Sequence, residues 1–166
     1  MLDRVLLTLG TLVFAGVFYA LMLKGWRGRQ RRQSDLPAPP VAASPRAPVV
    51  VAATPGLFVG TTVAGSWLDR VAVHHLSDRA TAELTVRTDG VHIEREGLPE
   101  LFLPYAAVDR AGLEEALAGK VISGGMLALT WRLGPRTLTS GFRATDHGAH
   151  PRLVDAVNAS IPVGTS

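Results

Sequence analysis

The strongest constraint on this 166-residue chain is an apolar segment, residues 5–23, that contains no charged residue. At a helical rise of ~1.5 Å per residue, the segment covers roughly 28 Å, close to the ~30 Å hydrocarbon thickness of a bilayer. A single segment satisfies all of its backbone polar groups in that environment only as a helix. The sequence therefore predicts a transmembrane helix near the start of the chain.

The residues that follow the apolar segment predict its orientation. Five basic residues and one tryptophan form a membrane flank within residues 1–32: Lys24, Trp26, Arg27, Arg29, Arg31 and Arg32. Lys and Arg accumulate on the cytoplasmic side of a membrane and also attract anionic lipid headgroups. We therefore expect a single-pass protein of the plasma (inner) membrane, with its N-terminus outside and its C-terminal domain in the cytoplasm.

A cleaved signal peptide is the alternative interpretation of the same segment. It would require a basic start, a shorter apolar core and a cleavage site of small residues. Here the apolar run is long, the basic residues follow it, and the sequence ALMLKGW at 20–26 offers no convincing cleavage site. The membrane anchor is therefore the favoured prediction.

Proline and alanine dominate residues 33–56, which contain six prolines. Proline interrupts helices and central strands and favours extended polyproline II structure. The composition predicts a disordered linker between the membrane segment and a folded domain at 57–162. Two alternatives stay open, namely a docking site for a proline-recognition domain and a first strand that already begins at Val49-Val50-Val51.

The positive charge of the chain belongs to the membrane flank and not to the folded domain. The formal net charge is +3, but residues 57–166 carry ten Lys and Arg against twelve Asp and Glu. Nucleic-acid binding through a basic patch requires clustered positive charge on the domain itself, so no nucleic-acid partner is expected. The absence of cysteine excludes disulfides, thiolate nucleophiles and zinc–cysteine sites.

Residues 79–96 predict the most distinct β-hairpin of the chain. Apolar and polar residues alternate through 80–86, and Asp89-Gly90 suits a tight hairpin turn. Further short strands are predicted at 101–103, 126–131 and 137–142, and a terminal helix at 151–161. Residues 105–118 are compatible with either a helix or a strand. The pattern predicts a mainly β domain capped by a helix.

Six stretches of the domain, taken together, resemble a known family: LFVGTTVAGSWLDRVAVHHL (57–76), RATAELTVRTDGVHIEREG (79–97), LFLPYAAV (101–108), LAGKV (117–121), LALTWRLG (127–134) and TSGFRATD (139–146). The chain resembles actinobacterial single-pass membrane proteins that carry a bacterial pleckstrin-homology-like (PH-like) domain. The resemblance implies an antiparallel β barrel or sandwich of two packed sheets with a C-terminal capping helix, and a strand near 108–116. It implies no enzymatic activity and no cofactor.

The candidate metal ligands of the sequence are weak. His74 and His75 are adjacent, and adjacent residues of a strand point to opposite faces, so we expect one buried and one exposed histidine. The D-H-x-x-H stretch of Asp146, His147 and His150 has the spacing of metal ligands but lacks a further ligand. We therefore expect no bound metal.

The candidate catalytic residues are equally weak. The carboxylate pairs at 94/96 and 114/115 are expected to be solvated, and the serines at 66, 123 and 140 lack the nucleophile-elbow motif. Trp67, Trp131 and Phe142 are expected in the core, because large aromatic side chains dominate burial in a small domain.

These observations favour a non-catalytic interaction or scaffold module at the cytoplasmic face of the inner membrane. Besides the lipid bilayer, its partner would be an unknown protein, for example one that adds a strand to a sheet edge. The second hypothesis is an accessory subunit of a transporter or export complex that acts through residues 5–23. A metal-dependent or hydrolytic enzyme is the third hypothesis and would use His147 and His150.

Overall fold

The computed structural model describes residues 2–33, 35–42, 47–117 and 120–162. Within these ranges, the side chains of 2–3, 5–8, 26–32, 116 and 120–124 are not described. The chain forms two compact units, Met1–Asp35 and Leu36–Ser166. The first unit contains helix α1 (Leu2–Arg32), so the predicted apolar segment is helical. A helix with the length and apolarity needed to cross a membrane is not found among the described residues.

Most side chains of the predicted membrane flank are not described by the structure. Those of Trp26, Arg27, Arg29, Arg31 and Arg32 are not described, whereas Lys24 lies exposed on α1. The flank therefore remains a prediction from the sequence.

The second unit is built from seven antiparallel strands and a terminal helix. The strands are β1 (Val49–Val63), β2 (Ala80–Arg87), β3 (Gly90–Arg95), β4 (Leu101–Pro104), β5 (Val108–Leu117), β6 (Lys120–Leu133) and β7 (Arg136–Ala144). A short 3₁₀ turn at His147–Ala149 leads into α2 (His150–Ser160). The predicted hairpin, the other predicted strands and the terminal helix are confirmed. The ambiguous region 105–118 contains strand β5, as the resemblance implied.

The strands form one open sheet, which differs from the expected barrel or sandwich of two packed sheets. Their order is β4-β3-β2-β1-β7-β6-β5, in one unbroken ladder of hydrogen bonds. β1 is long enough, at 15 residues, to pair with β2 through its first part and with β7 through its second part. A register shift between Phe58 and Gly60 bends it between the two neighbours. β4 and β5 are left as the edge strands.

One buried cluster covers the inner face of the sheet and includes residues from both of its ends. Leu101 of β4 and Val108 of β5 belong to it, together with Leu153 and Val157 of α2. Trp131 is fully buried there, as predicted, and so is Phe142. Because α2 packs on this inner face, it caps the core that the open sheet alone would leave exposed.

Part of the region predicted as a disordered linker belongs to the folded unit. β1 already begins at Val49, so the alternative of a first strand that starts at Val49-Val50-Val51 is confirmed. Pro55 fits this strand because β7 pairs with β1 only from Gly56 onward, so the missing N–H of Pro55 removes no ladder bond. Further upstream, Leu36 is only 3% exposed and belongs to the core cluster.

Candidate functional site

A row of threonines crosses the outer face of the sheet, opposite the core. Thr62 of β1 pairs with Thr139 of β7, which pairs with Thr130 of β6, and this residue pairs with Arg110 of β5. Neighbouring strands lie ~4.8 Å apart, so the row is roughly 15 Å long. It presents hydroxyl groups, which can donate and accept hydrogen bonds, beside one cation.

A trough of small residues runs parallel to the threonine row. Gly60, Gly141, Ala128 and Gly112 pair across the same four strands, two residues further along each one. Three of the four have no side chain, which allows neighbouring residues of the domain to approach the backbone closely: a Cβ on Gly60 would lie 3.3 Å from the carbonyl oxygen of Ser77.

The end of β5 folds over this trough. A Cβ atom on Gly141 would lie 2.5 Å from Cδ2 of Leu117, which shows how closely Leu117 covers the glycine. Leu117, Val59 and Met126 form a second, small buried cluster. The register shift that follows Glu114 bends β5 at this point, as β-bulges do.

The outer groove is a cavity of about 350 Å³ between the threonine row and the loop at 64–67. Gly65 turns the loop in a left-handed conformation, with a φ of 81°. Trp67 lines the groove and is 45% exposed, so its expected place in the core is wrong. The reason is that the chain leaves the sheet after Val63, and Trp67 therefore lies at the rim of the outer face.

The two charged residues of the outer groove form only a loose ion pair. Arg110 Nη2 lies 3.9 Å from Glu114 Oε1, and the two side chains are 65% and 44% exposed. Exposed pairs of this kind contribute little stability, so either charge can turn to a bound partner at small cost. The described lining residues offer hydroxyls, an indole and two opposite charges, a set suited to binding.

β5 is an edge strand, and α2 covers only part of its edge. The side-chain amide of Asn158 accepts the N–H of Ala111 at 2.9 Å and donates to its carbonyl oxygen at 3.0 Å, as a neighbouring strand would. By the two-residue alternation of a strand, the N–H and C=O of Leu113 face the same open side. Leu113 is also 56% exposed, and β6 is the only described neighbour of β5. An extended segment could therefore pair with β5 beside the outer groove.

His74 and His75 lie in a turn and not on a strand. Both are exposed and left-handed, with φ values of 55° and 56°. His74 Nε2 lies 2.8 Å from the carbonyl oxygen of Leu36, and His75 Nδ1 lies 2.8 Å from Asp78 Oδ2. The expectation of one buried histidine is wrong, because the extended backbone on which it depended is absent here.

Asp146, His147 and His150 lie close together, and each of them uses one potential ligand atom in a hydrogen bond within the domain. Asp146 Oδ1 accepts the N–H of Gly148 at 2.9 Å, and His147 Nε2 accepts from Arg143 Nε at 3.0 Å. His150 Nε2 accepts the N–H of Ala144 at 2.9 Å. No group of His, Asp and Glu side chains in the described part of the chain is arranged to hold a metal ion. These residues join β7 to α2.

Burial lowers the pKa of His150 below its ordinary value of 6.5, and the charges of His147 and Arg143 lower it further. The neutral ring is the form that accepts the Ala144 N–H. Burial likewise lowers the pKa of Arg95, whose guanidinium binds the carbonyl oxygens of His75 and Pro99. Both groups hold loops in place within the domain.

Strand β3 contains a buried histidine that was not predicted from the sequence. His92 is 4% exposed, and its Nδ1 and Nε2 lie 2.6 Å and 3.1 Å from carboxylate oxygens of Glu100 and Asp89. Its ring packs against Phe102, the residue opposite it on β4. The carboxylates lie on opposite sides of the ring, so the three groups cannot share one ion. Only the close spacing of Asp89 and His92 could have indicated this contact.

The remaining catalytic candidates lie apart. Glu94 and Glu96 are exposed, as expected. Ser140 is buried and binds Trp131 and Thr61, whereas Ser66 lines the outer groove. The side chain of Ser123 is outside those that the structure describes.

Comparison with known proteins adds one finding. The model of a family described as Bacterial PH domain-like matches residues 33–158. The match covers all seven strands and ends at Asn158, within α2. No curated protein matches the chain.

Proposed function

Because the chain belongs to the bacterial PH domain-like family, we propose that it is a membrane-anchored interaction module at the cytoplasmic face of the inner membrane. PH-like domains are generally non-catalytic and suggest a protein-interaction or scaffold role. The observation that carries the proposal is the open edge of β5 beside the outer groove. The proposed partner is a protein that contributes an extended segment to this edge.

The backbone of β5 supports the addition of a strand. Asn158 covers the edge at Ala111, so an added strand would pair first with the N–H and C=O of Leu113, which face the same side of β5. Main-chain hydrogen bonds of this kind supply affinity, and pockets for alternate side chains supply specificity. The partner residue opposite Glu114 would be basic, since opposite charges across a strand pair contribute roughly 0.2–1 kcal/mol.

The outer groove supports a second contact of the same partner. Its cavity of about 350 Å³ lies at the lower end of the ~300–1,000 Å³ range of small-ligand sites, so it suits one or two side chains. Trp67 and Arg110 line it, and these residue types are enriched among the residues that dominate binding energies. A side chain from an added strand would reach the groove past Gly112, which has no side chain of its own.

The sequence of the first unit supports the membrane anchor. Residues 5–23 carry no charge, and the membrane flank follows them directly. On α1, apolar side chains such as Leu12, Phe14 and Met22 are 64%, 73% and 64% exposed. Lipid would remove these side chains from water, and the flank would place the C-terminal domain in the cytoplasm.

Photo-crosslinking from residue 113 tests the proposed binding edge. A photoreactive amino acid would replace Leu113 in one full-length variant and Glu83, an exposed residue of β2, in a matched control. We expect a discrete partner adduct from position 113 and none from position 83. Equal labelling from both positions, or none from 113, would contradict the proposal.

A pair of substitutions separates backbone pairing from side-chain contact. Leu113→Pro removes the outward N–H, and an edge strand tolerates proline there. Leu113→Ala keeps the N–H and removes only the side chain. We expect the proline variant to lose the partner in co-purification and the alanine variant to retain most of it.

A further inference from the structure

Asn158 of α2 binds the edge of β5 in the way that a neighbouring strand would. Its side-chain amide accepts the N–H of Ala111 at 2.9 Å and donates to the carbonyl oxygen of the same residue at 3.0 Å. The exchange of both bonds with one residue is the pattern of a hydrogen-bonded pair in an antiparallel ladder. Asn158 is itself exposed, so this contact lies at the surface of the domain.

The central segment of β5, residues 110–114, is the regular part of the strand. Each of its residues pairs in unbroken register with β6, and a register shift lies at either end of it. Register shifts bend a strand, so the central segment is the part of β5 that can continue the sheet in a regular ladder. Its middle residue is Gly112.

The charges of the central segment are complementary to those of a second copy. In an antiparallel pair of two copies centred on Gly112, Arg110 of each copy lies opposite Glu114 of the other. This is the only antiparallel register that pairs all the residues of the segment with one another. Opposite charges across a strand pair are stabilising, and Gly112 opposite Gly112 leaves the two strands free to approach.

Asn158 blocks every main-chain bond of that register. Within the central segment, the N–H and C=O of Ala111 and Leu113 face the open side of β5. With Gly112 at the centre, Ala111 of one copy pairs with Leu113 of the other, so each main-chain bond between the copies uses a polar group of an Ala111. Asn158 already occupies both of these groups.

We infer that the central segment of β5 is a docking surface for the same segment of a second copy of this chain, and that Asn158 holds this surface closed. Proteins commonly protect the edge of a sheet by covering it with a helix or a loop. Asn158 lies outside the hydrophobic core clusters, so its replacement opens the edge without changing a core residue. The inference goes beyond the proposed function, because its occupant is a second copy and not another protein.

Disulfide trapping of the purified full-length chain tests this inference. The chain has no cysteine, so Gly112→Cys places a single thiol at the centre of the proposed pair. The two Cα atoms there would lie ~4.5 Å apart, within the range that a disulfide spans. A Cβ at Gly112 meets only the end of Arg110, at 3.6 Å, so the substitution fits the fold.

We expect Asn158→Ala, added to Gly112→Cys, to raise the rate of disulfide-linked dimer formation roughly tenfold, because the amide no longer competes for Ala111. The matched control is Asp155→Ala, which changes another exposed residue of α2 and should leave the rate unchanged. A chain with its thiol at Glu83→Cys, on β2, reports random collisions. Its dimer formation should not respond to Asn158→Ala.

A charge exchange tests the register. In the chain with Gly112→Cys and Asn158→Ala, Glu114→Arg should slow dimer formation, because it places like charges opposite each other. Adding Arg110→Glu should restore the rate, because each pair is then again of opposite charge. If the exchange restores nothing, the proposed register is wrong.

Urea unfolding monitors the fold of each variant. If Asn158→Ala no longer unfolds cooperatively, Asn158→Asp decides, because aspartate keeps an acceptor for the Ala111 N–H but has no N–H for the carbonyl oxygen. A faster rate in that variant supports the inference, and an unchanged rate overturns it. An unchanged rate in a folded Asn158→Ala chain overturns it as well.

The outcomes also separate this inference from the proposed function. An adduct of another protein at position 113, without a faster dimer in Asn158→Ala, would overturn the inference and leave the proposed function standing. A faster dimer without such an adduct would do the reverse.

Discussion

Ser140 joins three strands through a buried polar network. Its Oγ accepts the Nε1–H of Trp131 at 2.9 Å and lies 2.8 Å from Thr61 Oγ1. All three side chains are buried, and within the described residues every buried side-chain nitrogen and oxygen has a partner. A buried donor without a partner is costly, so this contact fixes the indole of Trp131 in one orientation.

We predict that Ser140→Ala lowers the free energy of unfolding by about 1–3 kcal/mol, because it leaves the Trp131 Nε1–H and the Thr61 hydroxyl without their partner. The matched control is Ser66→Ala in the loop beside the outer groove, where we expect a change within about 0.5 kcal/mol. Urea unfolding followed by tryptophan fluorescence measures both. Equal effects of the two substitutions would show that the network does not carry this stability.

His150 makes the stability of the domain depend on pH. Because its pKa is lowered in the folded protein, the unfolded chain binds a proton more readily once the pH falls below 6.5. The contribution of His150 to the free energy of unfolding is therefore fully present above pH 6.5. It is lost as the pH falls from 6.5 through the lowered pKa of the folded state.

We expect His150→Gln to lose less stability than the unchanged protein between about pH 7.5 and about pH 5, since glutamine keeps an acceptor and does not titrate. His75→Asn is the control, because His75 is exposed and asparagine tolerates its left-handed conformation. Thermal unfolding at both pH values measures the difference. A steeper loss in His150→Gln than in the control would contradict the assignment.

Two of the three tryptophans, Trp131 and Trp67, show what sequence reasoning can predict about single residues. Both were predicted in the core because large aromatic side chains dominate burial, and Trp131 is indeed buried because it lies in the regular strand β6, where every second side chain faces the core. Trp67 lies in the loop after β1, where no period operates, and its exposure depends on Gly65 and the path of the loop. Residue type alone therefore gave the correct prediction for the first and the wrong one for the second.

The end of β5 is the element that shapes the outer groove. Leu117 packs over Gly141, whereas a Cβ on Gly112, in the same trough, would meet only the end of the Arg110 side chain, at an ordinary contact distance of 3.6 Å. The two glycines thus form a natural comparison between a covered and an uncovered position on the same face of the sheet.

We predict that Gly141→Ala destabilises the domain by about 1–3 kcal/mol, because the added methyl group displaces Leu117 and Met126. Gly112→Ala should stay within about 0.5 kcal/mol, since its nearest neighbour is the flexible end of Arg110 at 3.6 Å. Equilibrium unfolding in urea compares the two. A similar cost at both positions would mean that β5 does not fold over the trough.

Local signals predicted some elements and missed others. The hairpin of β2 and β3 followed from regular alternation around Asp89-Gly90, a signal contained within the hairpin itself. β5 could not be separated from a helix by local propensity, because its pairing with β6 decides the outcome. The start of β1 at Val49 was obscured by Pro48 and Pro55, because a strand accepts proline only where the missing N–H removes no ladder bond. The outer groove depends on four strands together and had no sequence signal.

At the scale of the whole molecule, the proposed protein is a membrane segment joined to a PH-like domain that would recognise a protein partner. The membrane segment rests on residues 5–23 and the flank, and the domain on the family match and the open edge of β5. The competing proposal is that recognition occurs within the membrane, through α1. The two proposals differ in which unit holds the partner, and this difference can be measured.

The most direct measurement is photo-crosslinking from position 113 in a chain whose residues 1–32 are replaced by an unrelated single-pass anchor. If the domain recognises the partner, the chain with the exchanged anchor should give the same adduct as the chain that keeps its own residues 1–32, and in similar yield. Loss of that adduct, while the exchanged chain remains folded and membrane-bound, would contradict the account and place recognition in residues 1–32.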